Sequence, residues 1–309
     1  MPLDSTNPLV SVIIPNYNNA CFIEQTIQSV YDQSYKNFEC IIVDDGSTDE
    51  SIRLIETLKG RFSSLSLIRQ RNSGPSKARN TGVKHSNGEL LTFLDADDIW
   101  KNDKLKNQVS FILNTGADII ASYYVWFQNE ILLYNREINL FPRDVFDYWF
   151  DTPFGPSSIM IKKSKLIAIG GWDETLRACE DNDLWFRCAI NNLNMQIQPI
   201  EDIQIRLHSL SAKTNHDKMF KYHIKSFQKW VELLNHYEGD KTRFCDASRR
   251  KLSRARYYAY SMKMSDKVLQ TFLEGFRACG YKFFLNKLVI YQIFSALRNH
   301  STKLRWVRK

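Results

Sequence analysis

Three carboxylates lie within four residues at positions 95–98, which read DADD. They directly follow the apolar run at 90–94, so they stand at the end of a buried strand, where like charges repel one another. A divalent cation such as Mg²⁺ or Mn²⁺ would relieve that repulsion, because such cations bind carboxylate oxygens and substrate phosphates. The alternative is that Asp97 or Asp98 caps a helix that begins at Ile99.

A second acidic cluster, DDGSTD, occupies residues 44–49. Its carboxylates can accept hydrogen bonds from a base or from ribose hydroxyls, and Gly46 permits a tight turn. The alternative is a plain turn in which Asp49 starts the next helix. In the stretch NSGPSKARN at 72–80, Arg79 can pair with a loop carboxylate or hydrogen-bond a base; otherwise it is an arginine on a helix surface.

The elements that must position these residues alternate between strand and helix patterns. Strands are predicted at residues 9–14, 38–43, 65–69 and 89–94, with Pro15 ending the first, and helices at 22–33, 51–58 and 76–85. Such alternation implies a parallel α/β sheet, in which ligands bind beyond the carboxyl ends of the strands. Later residues predict strands within 117–136 and at 157–161, and a helix at 181–191.

The charge is divided unevenly along the chain. Residues 1–215 contain 21 Lys and Arg against 27 Asp and Glu, a net −6, whereas residues 216–309 contain 21 against 7, a net +14. We therefore expect two domains, residues 1–215 with the chemistry and residues 216–309 as a basic helical C-terminal region. The basic region suits an anionic membrane surface or an anionic partner.

Six motifs occur together in one order: VIIPNYN at 12–18, DDGSTD at 44–49, NSGPSKARN at 72–80, DADD at 95–98, GGWDE at 170–174 and EDNDLWFR at 180–187. As a set they resemble glycosyltransferase family 2 over about residues 9–213. The resemblance implies a GT-A-type, mostly parallel sheet flanked by helices, here with a C-terminal helical extension. It also implies an inverting transfer from a nucleotide sugar, with UDP expected as the carrier because it is the family's commonest.

The resemblance assigns roles to individual residues. The residues that would line the nucleoside pocket are Pro15, Tyr17, Asp44, Asp45 and Arg79. Asp97 would ligate a divalent metal, Mn²⁺ or Mg²⁺, and Asp95 would contact ribose or metal. His208, in the late sequence RLH, would complete the metal shell; the alternative is a solvent-facing loop histidine. Asp181 would be the general base, and its alternative is a helix cap.

The acceptor is expected to be a glycan or a lipid-linked hydroxyl. The residues expected near it are Trp172, Asp173, Glu174, Glu180 and Trp185; for the two tryptophans the alternative is an ordinary place in the core. The strongest non-enzymatic alternative is an inactive relative that binds a nucleotide or a glycan. A dinucleotide oxidoreductase is set aside because the first strand is followed by PNYN and not by GxGxxG.

Membrane and compartment signals are weak. No signal peptide and no transmembrane helix are expected, so the predicted location is the cytoplasm, with peripheral binding to the membrane through the basic region. The segment at 283–297 has apolar residues at helical spacing that could lie among lipid headgroups or pack as a helix face. No recognition motif accompanies the basic residues, and no nucleic acid is expected as a partner.

Overall fold

The structure is a computed structural model, and it describes residues 7–128, 131–133, 154–208 and 215–238, with residues 267, 270, 271, 273 and 274. The chain divides into two compact units, Met1–Ser209 and Leu210–Lys309. The strands are β1 (Val10–Asn16), β2 (Phe38–Asp44), β3 (Leu65–Arg69), β4 (Leu90–Phe93), β5 (Ile99–Trp100), β6 (Ile119–Gln128), β7 (Ile131–Leu133), β8 (Ile159–Lys162) and β9 (Met195–Arg206). The helices are α1 (Ile23–Tyr31), α2 (Ser51–Lys59), α3 (Pro75–His85), α4 (Lys104–Thr115), α5 (Lys163–Ala168), α6 (Glu180–Ile190) and α7 (His216–Asn235).

In the described part of the first unit, the strands form one sheet in the order β3-β2-β1-β4-β8-β6-β9-β5, with β7 paired to β6. The four strands from β3 to β4 are parallel, whereas β8 runs antiparallel to both β4 and β6. β9 is parallel to β6, and β5 is antiparallel to β9. This architecture confirms the predicted α/β fold class, a sheet with a parallel first half and helices between its strands.

Strands β1, β2 and β4 read as nearly continuous apolar runs because helices cover both faces of the sheet. Val12, Ile13, Ile42 and Leu91 are fully buried there. The parallel strands end at one edge, and their polar residues follow at that edge. The sheet therefore brings together the motifs that the sequence separates.

The strand boundaries differ from the predictions at two places that concern the site. Pro15 does not end β1, which continues to Asn16 with Pro15 opposite Val43. The pairing of β1 with β4 stops at Ile13, so the proline lies where the strand has a partner on one side, and its missing N–H costs the ladder little. The second difference follows the acidic turn: Ile99 begins β5 and not a helix.

Helix α3 packs very closely on β1. A Cβ built on Gly82 would lie 2.4 Å from Cγ2 of Ile13, so this position admits only glycine without a shift of the helix or of Ile13. The helix begins at Pro75, directly after Gly74 at a φ of 96°. This close approach determines how far the polar residues of α3 lie from the edge of the sheet.

In the second unit, the described residues form chiefly α7. The helix carries an apolar stripe of Phe220, Ile224, Phe227 and Trp230 at helical spacing, all buried. The Asn215 side chain caps it by accepting a hydrogen bond from the Lys218 amide at 3.0 Å. The predicted helical segment at 283–297 lies outside the described residues. Across the described residues, no helix combines the length and the apolar character needed to cross a membrane.

Candidate active site

The DADD turn follows β4 at the carboxyl edge of the sheet, and each of its three carboxylates has a different partner. Asp95 Oδ1 accepts a hydrogen bond from Arg79 Nη2 at 2.7 Å. Asp97 Oδ2 lies 2.8 Å from His208 Nε2, and Asp98 Oδ2 accepts from the Ser157 hydroxyl at 2.6 Å. The helix-cap alternative for Asp97 and Asp98 is wrong, because the residues that follow form a strand.

The Asp97–His208 contact joins the turn to the end of β9. The His208 side chain is 16% exposed, which rules out the solvent-facing alternative. Burial and the charge of Asp95 raise the pKa of Asp97, and His208 offsets part of that rise. The His208 Nδ1 atom is buried and has no hydrogen-bond partner in the described residues. A carboxylate is a ligand type that Mg²⁺ and Mn²⁺ take, and the imidazole that contacts it could complete the shell of a divalent cation.

Asp98 faces inward and holds the turn. It is buried and accepts hydrogen bonds from the Ser157 hydroxyl and from the Arg206 backbone amide. Burial and the charges of Asp97 and Asp95 raise its pKa well above the ordinary value. The same Ser157 oxygen accepts from the Asp95 amide at 3.0 Å, so one hydroxyl fixes both ends of the turn.

Arg79 bridges two carboxylates that lie 85 positions apart in the sequence. Its Nη2 contacts Asp95, and its Nη1 donates to Glu180 Oε1 at 2.8 Å. Its guanidinium also lies over the Trp172 ring, 4.7 Å from the centroid. The side chain is only 3% exposed, so the alternative of an arginine on a helix surface is wrong. Burial alone would lower its pKa, but the charges of Asp95 and Glu180 outweigh burial and raise it.

Glu180 and Asp181 form the first turn of α6. Glu180 is buried against Arg79, and burial raises its pKa while Arg79 opposes that rise. Its contact with an acceptor stays a prediction. Asp181 is partly exposed, and its Oδ1 accepts from the next backbone amide at 2.6 Å. Arg79 thus connects the acidic turn to the helix end that carries Asp181.

At the end of β2, Asp44 and Asp45 are buried and hold loops. Asp44 accepts from Asn16 Nδ2 at 2.9 Å and from the amides of Gly46 and Ser47. Asp45 accepts from Gln70 Nε2 and from the amides of residues 73 and 74, which lead into α3. These contacts are those of the turn alternative. A direct contact of either carboxylate with a nucleoside stays a prediction.

Pro15 and Tyr17 lie beside those loops. Pro15 is half-buried, and Tyr17 is 47% exposed, which leaves its ring free to meet a planar ligand. The loop after β1 is tied to the loop after β2, because the Ser47 hydroxyl oxygen accepts from the Asn18 amide at 2.9 Å. The two loops are therefore joined by hydrogen bonds next to the exposed tyrosine.

The GGWDE segment is clamped onto α3 by Asn80. The Asn80 amide group exchanges hydrogen bonds with the backbone of Trp172, at 2.8 and 2.9 Å, and donates to Glu174. Trp172 and Trp185 are buried and pack edge to face, 6.2 Å between centroids, which favours the core alternative over a sugar platform. Glu174 is exposed and pairs with Lys77, and Asp173 accepts from the amide of Thr175.

In the described residues, no three His, Cys, Asp or Glu side chains form a group that could hold a metal by themselves. A cation at the turn would therefore take Asp97 and His208, with Asp95 near by, and draw its remaining oxygens from a bound diphosphate and water. The motifs do not single out Thr26 and Ser157 as site residues, and they indicate Asp98 only as one charge of the acidic cluster or as a helix cap. Thr26 stabilises the main chain of the turn, because its hydroxyl donates to the carbonyl oxygens of Ala96 and Asp98, each at 2.9 Å.

Curated relatives of this chain are glycosyltransferases. An uncharacterized glycosyltransferase of Haemophilus influenzae is 45% identical over 107 residues, which cover 34% of this chain and 43% of that protein. Bacillus subtilis TuaG, provisionally named a teichuronic acid biosynthesis glycosyltransferase, is 44% identical over 109 residues, covering 34% and 42%. The chain spans less than half the length of either relative.

Solved structures share the fold at low identity. S. aureus TarS 1–349 in complex with UDP-GlcNAc has a TM-score of 0.74 at 18% identity, covering 97% of this chain and 91% of that one. The mannosyltransferase PcManGT from Pyrobaculum calidifontis, in complex with GDP-Man and Mn²⁺, has a TM-score of 0.62 at 18% identity, covering 100% and 90%. A model of the family Glycosyl transferase family 2 matches residues 11–171, just over half of the chain. The protein therefore belongs to glycosyltransferase family 2.

Proposed function

We propose that this protein is a metal-dependent, inverting glycosyltransferase that moves a sugar from a nucleoside diphosphate, with UDP as the favoured carrier, to a hydroxyl of a glycan or lipid-linked acceptor. The observation that carries the proposal is the linkage of His208 and Asp97, through the acidic turn that also bears Asp95, to Arg79 and Glu180. It connects a cation-binding donor set to the helix end that bears Asp181. The UDP-GlcNAc and GDP-Man bound to the two structural neighbours support a nucleotide-sugar donor.

The donor's nucleoside is proposed to lie over the exposed Tyr17 and beside Pro15, at the loops that Asp44 and Asp45 hold. Asp95, which is one-third exposed and oriented by Arg79, is available to ribose. A divalent cation held by Asp97 and His208 would offset the negative charge that develops on the leaving diphosphate. We therefore propose that the diphosphate binds at the partly exposed side of the turn, where Asp95 and Asp97 lie.

The transfer is proposed as a single displacement. The acceptor hydroxyl oxygen bonds to the anomeric carbon while the bond from that carbon to the diphosphate oxygen breaks, and the electron pair leaves with the diphosphate. The Asp181 carboxylate takes the hydroxyl proton as attack proceeds. Because attack comes from the face opposite the leaving group, the configuration at the anomeric carbon inverts.

The acceptor is proposed to belong to cell-surface polysaccharide or glycolipid synthesis. The name of TuaG supports this class. The +14 net charge of residues 216–309 supports work at the anionic cytoplasmic face of a membrane, to which the protein would bind peripherally.

The function can be tested by screening nucleotide sugars for hydrolysis and for protection against thermal unfolding, each with Mn²⁺, with Mg²⁺ and with excess chelator. We expect one UDP-sugar to be hydrolysed slowly, and only with the metal present. Protection without hydrolysis, in the presence of any acceptor tried, would point to the inactive binding relative instead. Full turnover in chelator would contradict metal dependence.

A further inference from the structure

Arg206 donates two hydrogen bonds to the acidic turn, in addition to those that Ser157 makes there. Its Nε donates to the Asp97 carbonyl oxygen at 2.9 Å, and its backbone amide donates to Asp98 Oδ1 at 3.1 Å. It is the last residue of β9, two positions before His208. One arginine thus fixes the turn that bears Asp97 and the strand end that carries His208 toward it.

Arg206 is itself held rigidly. Its guanidinium lies between two rings, 4.8 Å from the centroid of Phe22 and 4.4 Å from that of Phe127. Its Nη2 donates to Gln25 Oε1 on α1 at 2.8 Å. The Phe22 ring also contacts the His208 imidazole, with 4.9 Å between ring centroids. Phe22 therefore packs against both the gripping arginine and the histidine.

We propose that Arg206 is a positioning residue for the cation site, an inference that rests on the metal dependence in the proposed function. A guanidinium cannot ligate a cation, because it has no free electron pair and is always protonated. Its effect must therefore pass through the Asp97 main chain and the placement of His208. The planar group is required because it reaches a carbonyl and an amide oxygen while it stacks on two rings, which a lysine cannot do.

The proposal predicts that Arg206→Lys weakens cation binding while the fold persists. Residues that orient metal ligands typically contribute about 10–100-fold to affinity, and we expect a loss in that range. The measurement is Mn²⁺ binding in the presence of UDP, followed by the electron paramagnetic resonance signal of free Mn²⁺ on the full chain. It requires no acceptor and no turnover.

Arg187→Lys is the matched control. Like Arg206, Arg187 donates to a main-chain carbonyl, that of Ile169, at 2.8 Å; it also pairs with the Asp183 carboxylate at 2.8 Å. It makes these contacts away from the turn. We expect Arg187→Lys to lower the midpoint of thermal unfolding but to bind Mn²⁺ as the wild type does.

The outcomes separate the two proposals. If the wild type binds no Mn²⁺ with UDP, the metal dependence of the proposed function is wrong. If it binds and Arg206→Lys binds equally well, only the positioning role is overturned; equal losses in both lysine variants would overturn it too. Should Arg206→Lys fail to fold, Phe22→Leu keeps the arginine and removes the ring shared with His208, and it must weaken Mn²⁺ binding.

Combination with His208→Ala sharpens the test. If Arg206 acts partly by placing His208, the loss in the double variant is smaller than the product of the two single losses. A double variant in which the two losses multiply fully would show that the arginine does not act through the histidine.

Discussion

Three aspartates in one turn perform three different tasks because each meets a different neighbour. Asp95 is paired with a buried guanidinium, Asp97 with an imidazole, and Asp98 with a buried hydroxyl and an amide. Asp98 is buried and is therefore unavailable to a ligand, whereas the side chains of Asp95 and Asp97 are 34% and 25% exposed. Of the three, only the anchoring role of Asp98 is observed, whereas the ribose contact of Asp95 and the metal ligation by Asp97 stay proposals.

Replacing Asp97 by Asn should reduce turnover by at least about two orders of magnitude with the fold intact, because the variant loses a charged ligand beside the diphosphate. Steady-state transfer rates at saturating Mn²⁺ measure the loss. Asp32→Asn serves as the control, since Asp32 is exposed and contacts only Gln28 among the hydrogen bonds described for its side chain. Normal turnover in Asp97→Asn would remove Asp97 from the cation site.

Replacing Asp181 by Asn should preserve donor binding and reduce transfer by about 10²–10⁴-fold, since the amide keeps the shape but cannot take the proton. Its neighbour gives a contrasting control: Asp183 is fully buried and pairs with Arg187, so Asp183→Asn should lower stability first. Equilibrium binding of UDP and single-turnover transfer separate the two effects. If Asp181→Asn instead loses UDP binding, Asp181 is not the base.

At this scale the sequence predicted which residues cluster, but not with whom they pair. Arg79 and Glu180 lie 101 positions apart, and Asp97 and His208 lie 111 apart, so only the sheet order decides that they meet. Residue type alone favoured an exposed Arg79, and it did not indicate that Glu180 would pair with that arginine. Thr26 and Ser157 carry no motif, because hydroxyls that hold a main chain look like any other serine or threonine.

At the scale of the elements, helix α4 places a lysine side chain in the core. Lys104 is fully buried, its Nζ donates to the Thr92 hydroxyl at 2.6 Å, and it lies 3.6 Å from the centroid of the Trp100 ring. Burial lowers its pKa well below the ordinary value, and the charge of Asp202 offsets only part of that. The folded chain therefore releases this proton at a lower pH than the unfolded chain does.

Between the lowered pKa of Lys104 in the folded chain and the ordinary lysine pKa of about 10.4, the unfolded state binds more protons, so the free energy of unfolding should rise with pH in that window. Lys104→Met fills a similar volume without the titrating group and should flatten the slope. Urea denaturation at several pH values between 8 and 10 measures it. Lys106→Met, at an exposed position of the same helix, should leave the slope unchanged, and an unchanged slope in Lys104→Met would contradict the expectation.

The packing of α3 on β1 gives a second prediction for an element. Gly82→Ala places a methyl group against Ile13 and should cost about 1–3 kcal/mol of stability, a typical cost of overpacking. Gly155→Ala is the control, because a Cβ there meets nothing within 4 Å. Thermal unfolding compares the two variants, and equal midpoints would show that α3 can shift without cost.

The periodicity of the first hundred residues predicted the strands and helices well because buried parallel strands are apolar throughout. Leu65–Arg69 is β3, as predicted, and the other early elements differ by a few residues at their ends. The error at Ile99 has a physical cause: an acidic pair before apolar residues is also a helix-cap pattern, and only pairing with β9 makes this segment a strand. β9 was not predicted, because polar residues are interspersed along it and only some of its positions are buried.

At the scale of the whole molecule, the two units carry net charges of opposite sign. The boundary between the compact units lies at Ser209 and Leu210, whereas composition placed the expected boundary near residue 215. The first unit holds the acidic turn, and the second holds most of the basic excess. Whether residues 1–215 and 216–309 act as separate domains stays a prediction.

The charge asymmetry predicts how the whole protein meets membranes. It should sediment with vesicles that contain anionic lipid at low ionic strength and be released as salt screens the attraction, but should not sediment with neutral vesicles. A chain truncated after residue 238 keeps α7 but lacks most of the Lys and Arg of residues 216–309, so it should bind anionic vesicles more weakly. Equal binding to both vesicle types, or to neither, would assign the basic region to packing or oligomerisation.

The position of β9 in the sheet has a consequence for synthesis on the ribosome. β9 lies between β6 and β5, and it ends in the arginine that grips the acidic turn. At about 5–20 residues per second, the 111 residues between Asp97 and His208 take on the order of 6–20 s to translate. During that interval the nascent chain displays the carboxylates without their late partners, and β5 lacks the strand beside it. The loops after β1 and β2 can therefore form early, whereas the contact of Asp97 with His208 is made last.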